Sequence, residues 1–369
     1  MSFEKTINYF DNSKHADKLK KVTCDIPFRS FHIYPEGNVA NCCFYWMPTI
    51  LGNITKKTLK EIINDERSMA AKKSVTDGTY KFCNGEICPS MVNYTANGKV
   101  EHPLLPIEDL HTIDQKDIIL MFDFDHSCNL YCGSCRNDRI LYSLENAPPH
   151  LKLVHECLMK QVAELLDDGY KITIQATSSG DPFASPFYWQ FLQSIRGDEQ
   201  YKVRLTTNGT LMTRERLQHP YAKKIDHIEI SVDAFTEETY VKVRRGGNFT
   251  ALKKNLQNLD EMVMNGDLPE LPGWKVNFVV QTDNFHEMAD FAKWALEFKK
   301  LNYVWFLLIY DWGHLKKEEF NQKAVWHKNH PQHREFLKVL RDPVFDDKRI
   351  IIGNVAALRK QALADADLA

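Results

Sequence analysis

From Asp117 onward, short apolar runs alternate with stretches in which apolar residues recur every three or four positions. IILMFDF, KITIQA, KVRLTT, HIEISV, VNFVVQ and YVWFLLIY have strand length and are rich in branched residues. Between them, LKLVHECLMKQVAELLDDG, FYWQFLQSIR, TRERLQH, FTALKKNLQNLDEMVMN and FHEMADFAKWALEFKK read as amphipathic helices. Alternation of this kind predicts an α/β fold with a parallel sheet and helices outside, open or curved into a barrel. Functional residues of such sheets sit where strands end. Those ends are polar here: DHSC, TSSGDP, TNGT, SVDA, QTDN and YDWGH.

Residues 1–100 have a different pattern. They are loop-rich, with a hairpin signal at PEGNV and one helix expected over KKTLKEIINDERSMAAKKSV. The expected organisation is a cysteine-rich module over 1–100, a linker over 101–116, a strand–helix domain over 117–315 and a helical extension over 316–369.

Composition narrows the classes. The 369 residues are 43% hydrophobic and 26% charged, with a formal net charge of −2, so no overall field points to nucleic acid or an anionic membrane. The polar start MSFEKTINYFDNSKHADKLKK lacks the apolar core of a signal peptide, and no run approaches the length of a membrane span. A cytoplasmic protein is expected. Eight of the nine cysteines precede residue 136. In a reducing compartment such clustering favours metal or cluster binding over disulfides.

Cys128, Cys132 and Cys135 form Cys-x3-Cys-x2-Cys in HSCNLYCGSCR, directly after the first strand-like run. One loop with three thiolates can wrap a single cluster. A four-iron cubane normally takes four cysteines, so three leave one iron open to a small molecule. The same spacing suits a zinc site borrowing a fourth ligand such as His126.

This loop resembles the cluster loop of the radical S-adenosylmethionine (radical SAM) superfamily, which follows the first strand of a partial (β/α)6 barrel. SSGDP (178–182) is similar to the family's Gly-Gly-Glu-Pro-type segment, and TTNG (206–209) to its Thr-Asn-Gly. SVDA (231–234) followed by YVKVRRGGNF is similar to a pattern of the subgroup with auxiliary clusters. The resemblance implies a partial (β/α)6 TIM-like barrel and a [4Fe–4S] cluster on Cys128, Cys132 and Cys135. It also implies S-adenosylmethionine (SAM) chelating the open iron, and cleavage to a 5′-deoxyadenosyl radical that removes hydrogen from an unactivated carbon. By the same resemblance, Gly180 lets backbone approach the methionine end and Asp181 accepts from its ammonium. Arg244 or Arg245, with Arg244 preferred by register, pairs with its carboxylate. Asn208 and Ser231 are polar partners for the carboxylate or ribose. Where the family often has an aromatic residue before the third cysteine, this chain has Ser134, leaving Tyr131 or Phe183 to supply an apolar contact.

The earlier cysteines resemble the SPASM/twitch auxiliary-cluster module. Cys24 precedes Gly37 by twelve intervening residues, Cys42 follows after four more, and LGNI, a helix and the pair Cys83/Cys88 come next. The resemblance implies one closed [4Fe–4S] cluster on Cys24, Cys42, Cys83 and Cys88, with Cys43 an alternative to Cys42. A zinc ribbon on the same ligands remains open. The module here precedes the barrel, whereas in the family it usually follows.

The auxiliary-cluster subgroup implies two substrate classes, a ribosomally made peptide or a small polar molecule such as a sugar or nucleotide-linked sugar. No separate leader-binding domain is read before residue 24, and the polar strand ends suit a hydroxylated substrate, so the small molecule is the favoured expectation. No barrel strand end beyond the triplet carries a cysteine to serve as hydrogen donor. Oxidation with the auxiliary cluster as acceptor is therefore expected over epimerisation. A flavodoxin- or ferredoxin-type reductant is expected. A non-catalytic zinc or iron–sulfur module is the other class of reading.

Further residues carry weaker signals. His327, His330 and His333 are spaced like a helical metal face, but Pro331 interrupts it. Cys157 reads as packing on the first barrel helix. Asp123 and Asp125, and Tyr310, Trp312 and His314 at the end of the last strand, are candidates to line a cavity.

Overall fold

The computed structural model describes residues 7–176, 179–196, 200–311 and 313–366. The chain forms two compact units: Met1–Asp125 with Ser143–Ser179 and Asp198–Lys202, and His126–Tyr142 with Gly180–Gly197 and Val203–Ala369.

In the first unit, β1 (Val22–Cys24) pairs antiparallel with β5 (Leu104–Pro106), so the stretch expected as a linker contributes a strand. β2 (Ser30–Ile33) and β3 (Asn38–Ala40) form the hairpin signalled by PEGNV, and β3 pairs with β4 (Gly52–Asn53). At its turn, Glu36 and Gly37 both have left-handed φ, 62° and 83°. A Cβ on Gly37 would also lie 3.1 Å from Thr55 Cγ2, so this glycine is required by conformation and by space.

β2 runs parallel to β6 (Asp117–Phe122), which runs parallel to β7 (Lys171–Ala176), giving the order β7-β6-β2-β3-β4. Ile118, Leu120 and Phe122 alternate into the core along β6, as a period of two requires. The single helix expected over 56–75 is two: α1 (Leu59–Ile63) and α2 (Glu66–Thr76). Asp65 sits between them in extended geometry, its side chain accepting from the Arg67 N–H at 2.9 Å. The cap preference of Asp outweighs helix continuity. Further along, α3 (Pro89–Asn97) and α4 (Pro149–Asp167) follow. α4 buries Leu151, Val154, Leu158, Val162 and Leu165, one stripe at helical spacing. From the same face, Gln161 donates to the Ile54 carbonyl and accepts from the Leu59 N–H, each at 2.8 Å. Its buried amide is satisfied by the cysteine-rich module.

The second unit holds parallel strands in the order β12-β11-β10-β9-β8. They are β8 (Tyr201–Thr207), β9 (Ile225–Ser231), β10 (Trp274–Val280), β11 (Leu301–Leu308) and β12 (Ile350–Ile351). The helices between them include α5 (Pro186–Ser194), α6 (Glu237–Val243), α7 (Phe249–Asn265) and α8 (Met288–Ala295). TRERLQH yields only a short 3-10 turn, Arg216–Gln218, because Pro220 forces His219 into extended geometry. Ile228, Ile230, Val276, Phe278, Val304 and Phe306 form one buried face of the strands. The alternate positions are polar and lie level with one another: Thr206, Glu229, Lys275 and Tyr303 in one row, then Ser231, Asn277 and Trp305 in the next. The tail expected as purely helical also supplies β12, whose Ile350 pairs with Val304.

Candidate functional site

The three-cysteine loop lies in the second unit. Cys135 N–H and Arg136 N–H both donate to the Cys132 carbonyl, at 2.9 and 3.0 Å, and this tight turn produces the x2 spacing. Cys128 is pinned where its N–H donates to the Ile140 carbonyl (2.7 Å). Cys128 and Cys132 are buried and Cys135 is exposed. N–H donors face the two buried sulfurs. Leu130 N (3.4 Å) and Asn208 Nδ2 (3.8 Å) approach Cys128 Sγ, and Arg244 Nη1 (3.7 Å) approaches Cys132 Sγ. Burial, reinforced by the Asp181 carboxylate, pushes the Cys128 thiol up to about 12, and burial also raises Cys132.

Of the expected SAM-binding residues, Asp181, Asn208 and Arg244 contact this loop. Gly180 adopts φ 86°, a conformation natural only to glycine. Asp181 is 1% exposed, and its carboxylate already accepts from Phe183 N–H (3.0 Å), Thr207 Oγ1 (2.8 Å) and Asn208 N–H (2.9 Å). Burial still raises its pKa. Asp181 thus ties the end of β8 to the loop, through its own N–H on the Ser127 carbonyl (2.9 Å) and through Asn208. Asn208 also donates to Asn129 Oδ1 at 3.0 Å. Ser231 ends β9 level with Asn277.

The arginine pair divides its work. Arg244 faces Cys132 and forms an ion pair with Asp233, Nη2 to Oδ2 at 2.7 Å. Arg245 donates to the carbonyls of Tyr131 (2.9 Å) and Arg136 (3.2 Å) and stacks over the Tyr131 ring, so it splints the cysteine loop. Phe183 is buried, with the Arg216 guanidinium over its ring. His314 reaches the loop, its Nε2 lying 3.3 Å from the Gly133 carbonyl. Tyr310 is half-exposed, whereas Trp312 and Ser178 lie outside the described residues. Asp233 lies within SVDA, where the resemblance assigns it no role. Its signal in the sequence was only that motif, since its partner stands eleven positions on.

The second thiol set lies in the first unit. Cys24 ends β1, Cys42 follows β3, Cys83 closes a turn on the Tyr80 carbonyl (2.8 Å), and Cys88 caps α3. Cys24, Cys83 and Cys88 pack against Leu19, Val22, Phe28, Tyr80 and Met91, and Cys42 with Cys83 against Met47 and Phe82. Burial pushes Cys42 up to about 12, with Cys88 and Cys43 next to it, and also raises Cys24 and Cys83, each adjoining others of the set. Cys43 instead adjoins Asp123, whose carboxyl burial pushes up to about 7. The structure therefore brings Cys42, rather than Cys43, to Cys24, Cys83 and Cys88.

Among the described residues, no three His, Cys, Asp or Glu side chains close on one point as a single metal ion demands. Zinc needs its thiolates about 2.3 Å from a common centre. In a four-iron cluster each thiolate takes its own iron, so near but unconverged thiols fit. His330 bonds Thr282 and the Gln322 carbonyl, while His333 bonds the Val325 carbonyl, so these histidines do not converge.

Family models agree with this donor chemistry. The radical SAM superfamily model matches residues 124–295, and the iron–sulfur cluster-binding SPASM domain matches residues 24–89. The chain carries a radical SAM domain. Its SPASM module precedes the barrel domain, its fold is the α/β fold of that family, and the two domains imply SAM, a [4Fe–4S] cluster and auxiliary iron–sulfur binding. These assignments displace the zinc readings.

Curated relatives are distant. The antilisterial bacteriocin subtilosin biosynthesis protein AlbA of Bacillus subtilis is 28% identical over 65% of this chain and 49% of its own length. A probable GTP 3′,8-cyclase of Methanococcus maripaludis is 27% identical over 44% of this chain and 49% of its own. The mycofactocin maturase MftC of Mycobacterium tuberculosis is 23% identical over 48% and 41%. The chain spans about half the length of the curated relatives it matches. Among the described residues, no helix is long and apolar enough to cross a membrane.

Proposed function

We propose that this radical SAM enzyme modifies a peptide. The observation that carries the reading is the similarity to AlbA, a bacteriocin biosynthesis protein, over 65% of this chain. The maturase MftC points the same way, while the cyclase similarity covers only 44%. This replaces the small polar substrate expected from the sequence. That expectation rested only in part on polar strand ends, and several of those polar groups are already spent on one another.

Cys128, Cys132 and Cys135 would hold three irons of a [4Fe–4S] cluster, leaving the fourth for SAM. When bound, that pair supplies, for one electron from a flavodoxin- or ferredoxin-type donor, methionine and a 5′-deoxyadenosyl radical that takes a substrate hydrogen to become 5′-deoxyadenosine. Gly180 gives the methionine end access to backbone. Asp181 would accept from its ammonium. Asn208 and Ser231 would offer polar contacts to the carboxylate and ribose. Cys24, Cys42, Cys83 and Cys88 would close the auxiliary cluster with four protein thiolates. A closed set of that kind suits electron acceptance, and so a net oxidation of the peptide.

The test is 5′-deoxyadenosine release by anaerobic, reconstituted protein with SAM and reductant. Wild type should release it and a C128A/C132A/C135A variant should not. Release should be stimulated by the peptide fraction of an extract of the native cells, and protease treatment should abolish that stimulation. Stimulation surviving in a protease-treated small-molecule fraction would return the substrate to the polar small-molecule class.

A further inference from the structure

Arg244 is built into the protein more firmly than a ligand-binding arginine requires. It stands just past α6, its N–H closing on the Tyr240 carbonyl at 2.7 Å. Its guanidinium lies between two partners from different parts of the unit, Asp233 Oδ2 at 2.7 Å and Cys132 Sγ at 3.7 Å. Asp233 is itself immobilised. Its Oδ1 accepts from the Val279 N–H (2.7 Å), its carbonyl accepts from Asn284 Nδ2 (2.9 Å), and it holds φ 66°, a left-handed conformation unusual for a residue other than glycine. The Asp233 and Arg244 side chains are 1% and 12% exposed. A buried ion pair on a strained backbone position is costly to maintain, and such cost concentrates where geometry serves function.

That geometry places an N–H donor and a positive charge against one sulfur of the triplet. Hydrogen bonds to the sulfurs and nearby charge are established levers on iron–sulfur potentials. Reduction adds negative charge to the cluster, so a fixed donor on a ligand sulfur favours the reduced state. The Asp233 carboxylate opposes this, but it stands behind the guanidinium and acts by aiming it. Nη1 and Nη2 each already have a partner, which leaves Nε and the second Nη hydrogens for any further contact.

We propose that Asp233 locks Arg244 as a donor to the Cys132 sulfur, and that this pair raises the reduction potential of the cluster on the loop. Both are positioning residues. The inference rests on Cys132 being a cluster ligand.

The test is a redox titration of the full-length, reconstituted protein followed by electron paramagnetic resonance. The loop cluster's signal is the one that SAM perturbs and that C128A/C132A/C135A removes. R244Q should shift the reduction equilibrium toward the oxidised state by about tenfold, about 59 mV for one electron, and D233N, which loses the aim but also the opposing charge, should shift it the same way by less. R244K, which keeps the charge but cannot span both partners, should fall between R244Q and wild type. Iron content unchanged from wild type separates these shifts from misfolding. Should R244Q fail to load iron, the near-isosteric D233N decides alone. Unchanged potentials together with weakened SAM binding would overturn the proposal and return Arg244 to the SAM carboxylate. A SAM-sensitive signal persisting in C128A/C132A/C135A would instead bring down the ligand assignment beneath it.

Discussion

At the scale of single residues, the doublet Cys42–Cys43 shows what sequence spacing leaves open. Both positions satisfy the motif within one residue, and the backbone of a loop sends successive side chains in different directions. The structure turns Cys42 toward Cys24, Cys83 and Cys88, and Cys43 toward Asp123. C42A should therefore lose about four irons per chain, one cubane's worth, whereas C43A should keep its full complement. Iron counting after anaerobic reconstitution checks this, and equal losses in the two variants would refute it. Arg244 and Arg245 pose the same ambiguity. Their different duties, one at a sulfur and one splinting the loop through Tyr131 and Arg136, depend on contacts more than a hundred positions distant in sequence.

At the scale of elements, hydrophobic periodicity located β6 to β11 well, because strands such as β6 and β9 alternate buried and half-buried positions, while β10, buried on both faces, reads as a short apolar run. It over-extended helices where local capping chemistry intervened, as at Asp65, and where Pro220 followed too soon. It also could not show which polar positions on neighbouring strands stand level. Glu229 on β9 and Lys275 on β10 do, and they form a mostly buried ion pair, with Asn277 donating to the same carboxylate and Tyr303 and Trp305 each within about 6 Å of the ammonium. Burial alone would push Glu229 up, but His227, Lys275 and Asn277 outweigh it and hold the carboxyl down at about 2. Lys275→Met leaves that carboxylate buried without its cation, at a cost of about 3–5 kcal/mol, whereas a Lys275→Met/Glu229→Leu double variant should recover most of the loss. Denaturant midpoints of the three proteins test the pair. A double variant as unstable as the single one would mean the cost lies in packing rather than charge.

At the scale of the whole molecule, the cysteine motifs made the family legible because cluster chemistry fixes ligand type and number, while substrate choice leaves no comparable signature. What the motifs could not convey is how deeply the fold buries these thiols. Cys42 and Cys128, each pushed up to about 12 by burial, are held as neutral thiols at physiological pH, and Cys24 and Cys83 are raised as well. Iron binding must strip those protons, so cluster assembly should release protons and proceed more readily at pH 8.5 than at pH 6.5. The linkage also sets the stability of the iron-free protein. A thiol whose folded pKa lies above its unfolded value stabilises the fold fully below about pH 9, and that contribution is lost as pH rises from there toward about 12. Ligated sulfurs carry no proton and escape this loss. The melting temperature of the iron-free chain should thus fall more steeply between pH 8 and pH 10 than that of the loaded protein, by differential scanning calorimetry under strict anaerobiosis. Parallel declines would show that the buried thiols are not the groups that govern the alkaline limit.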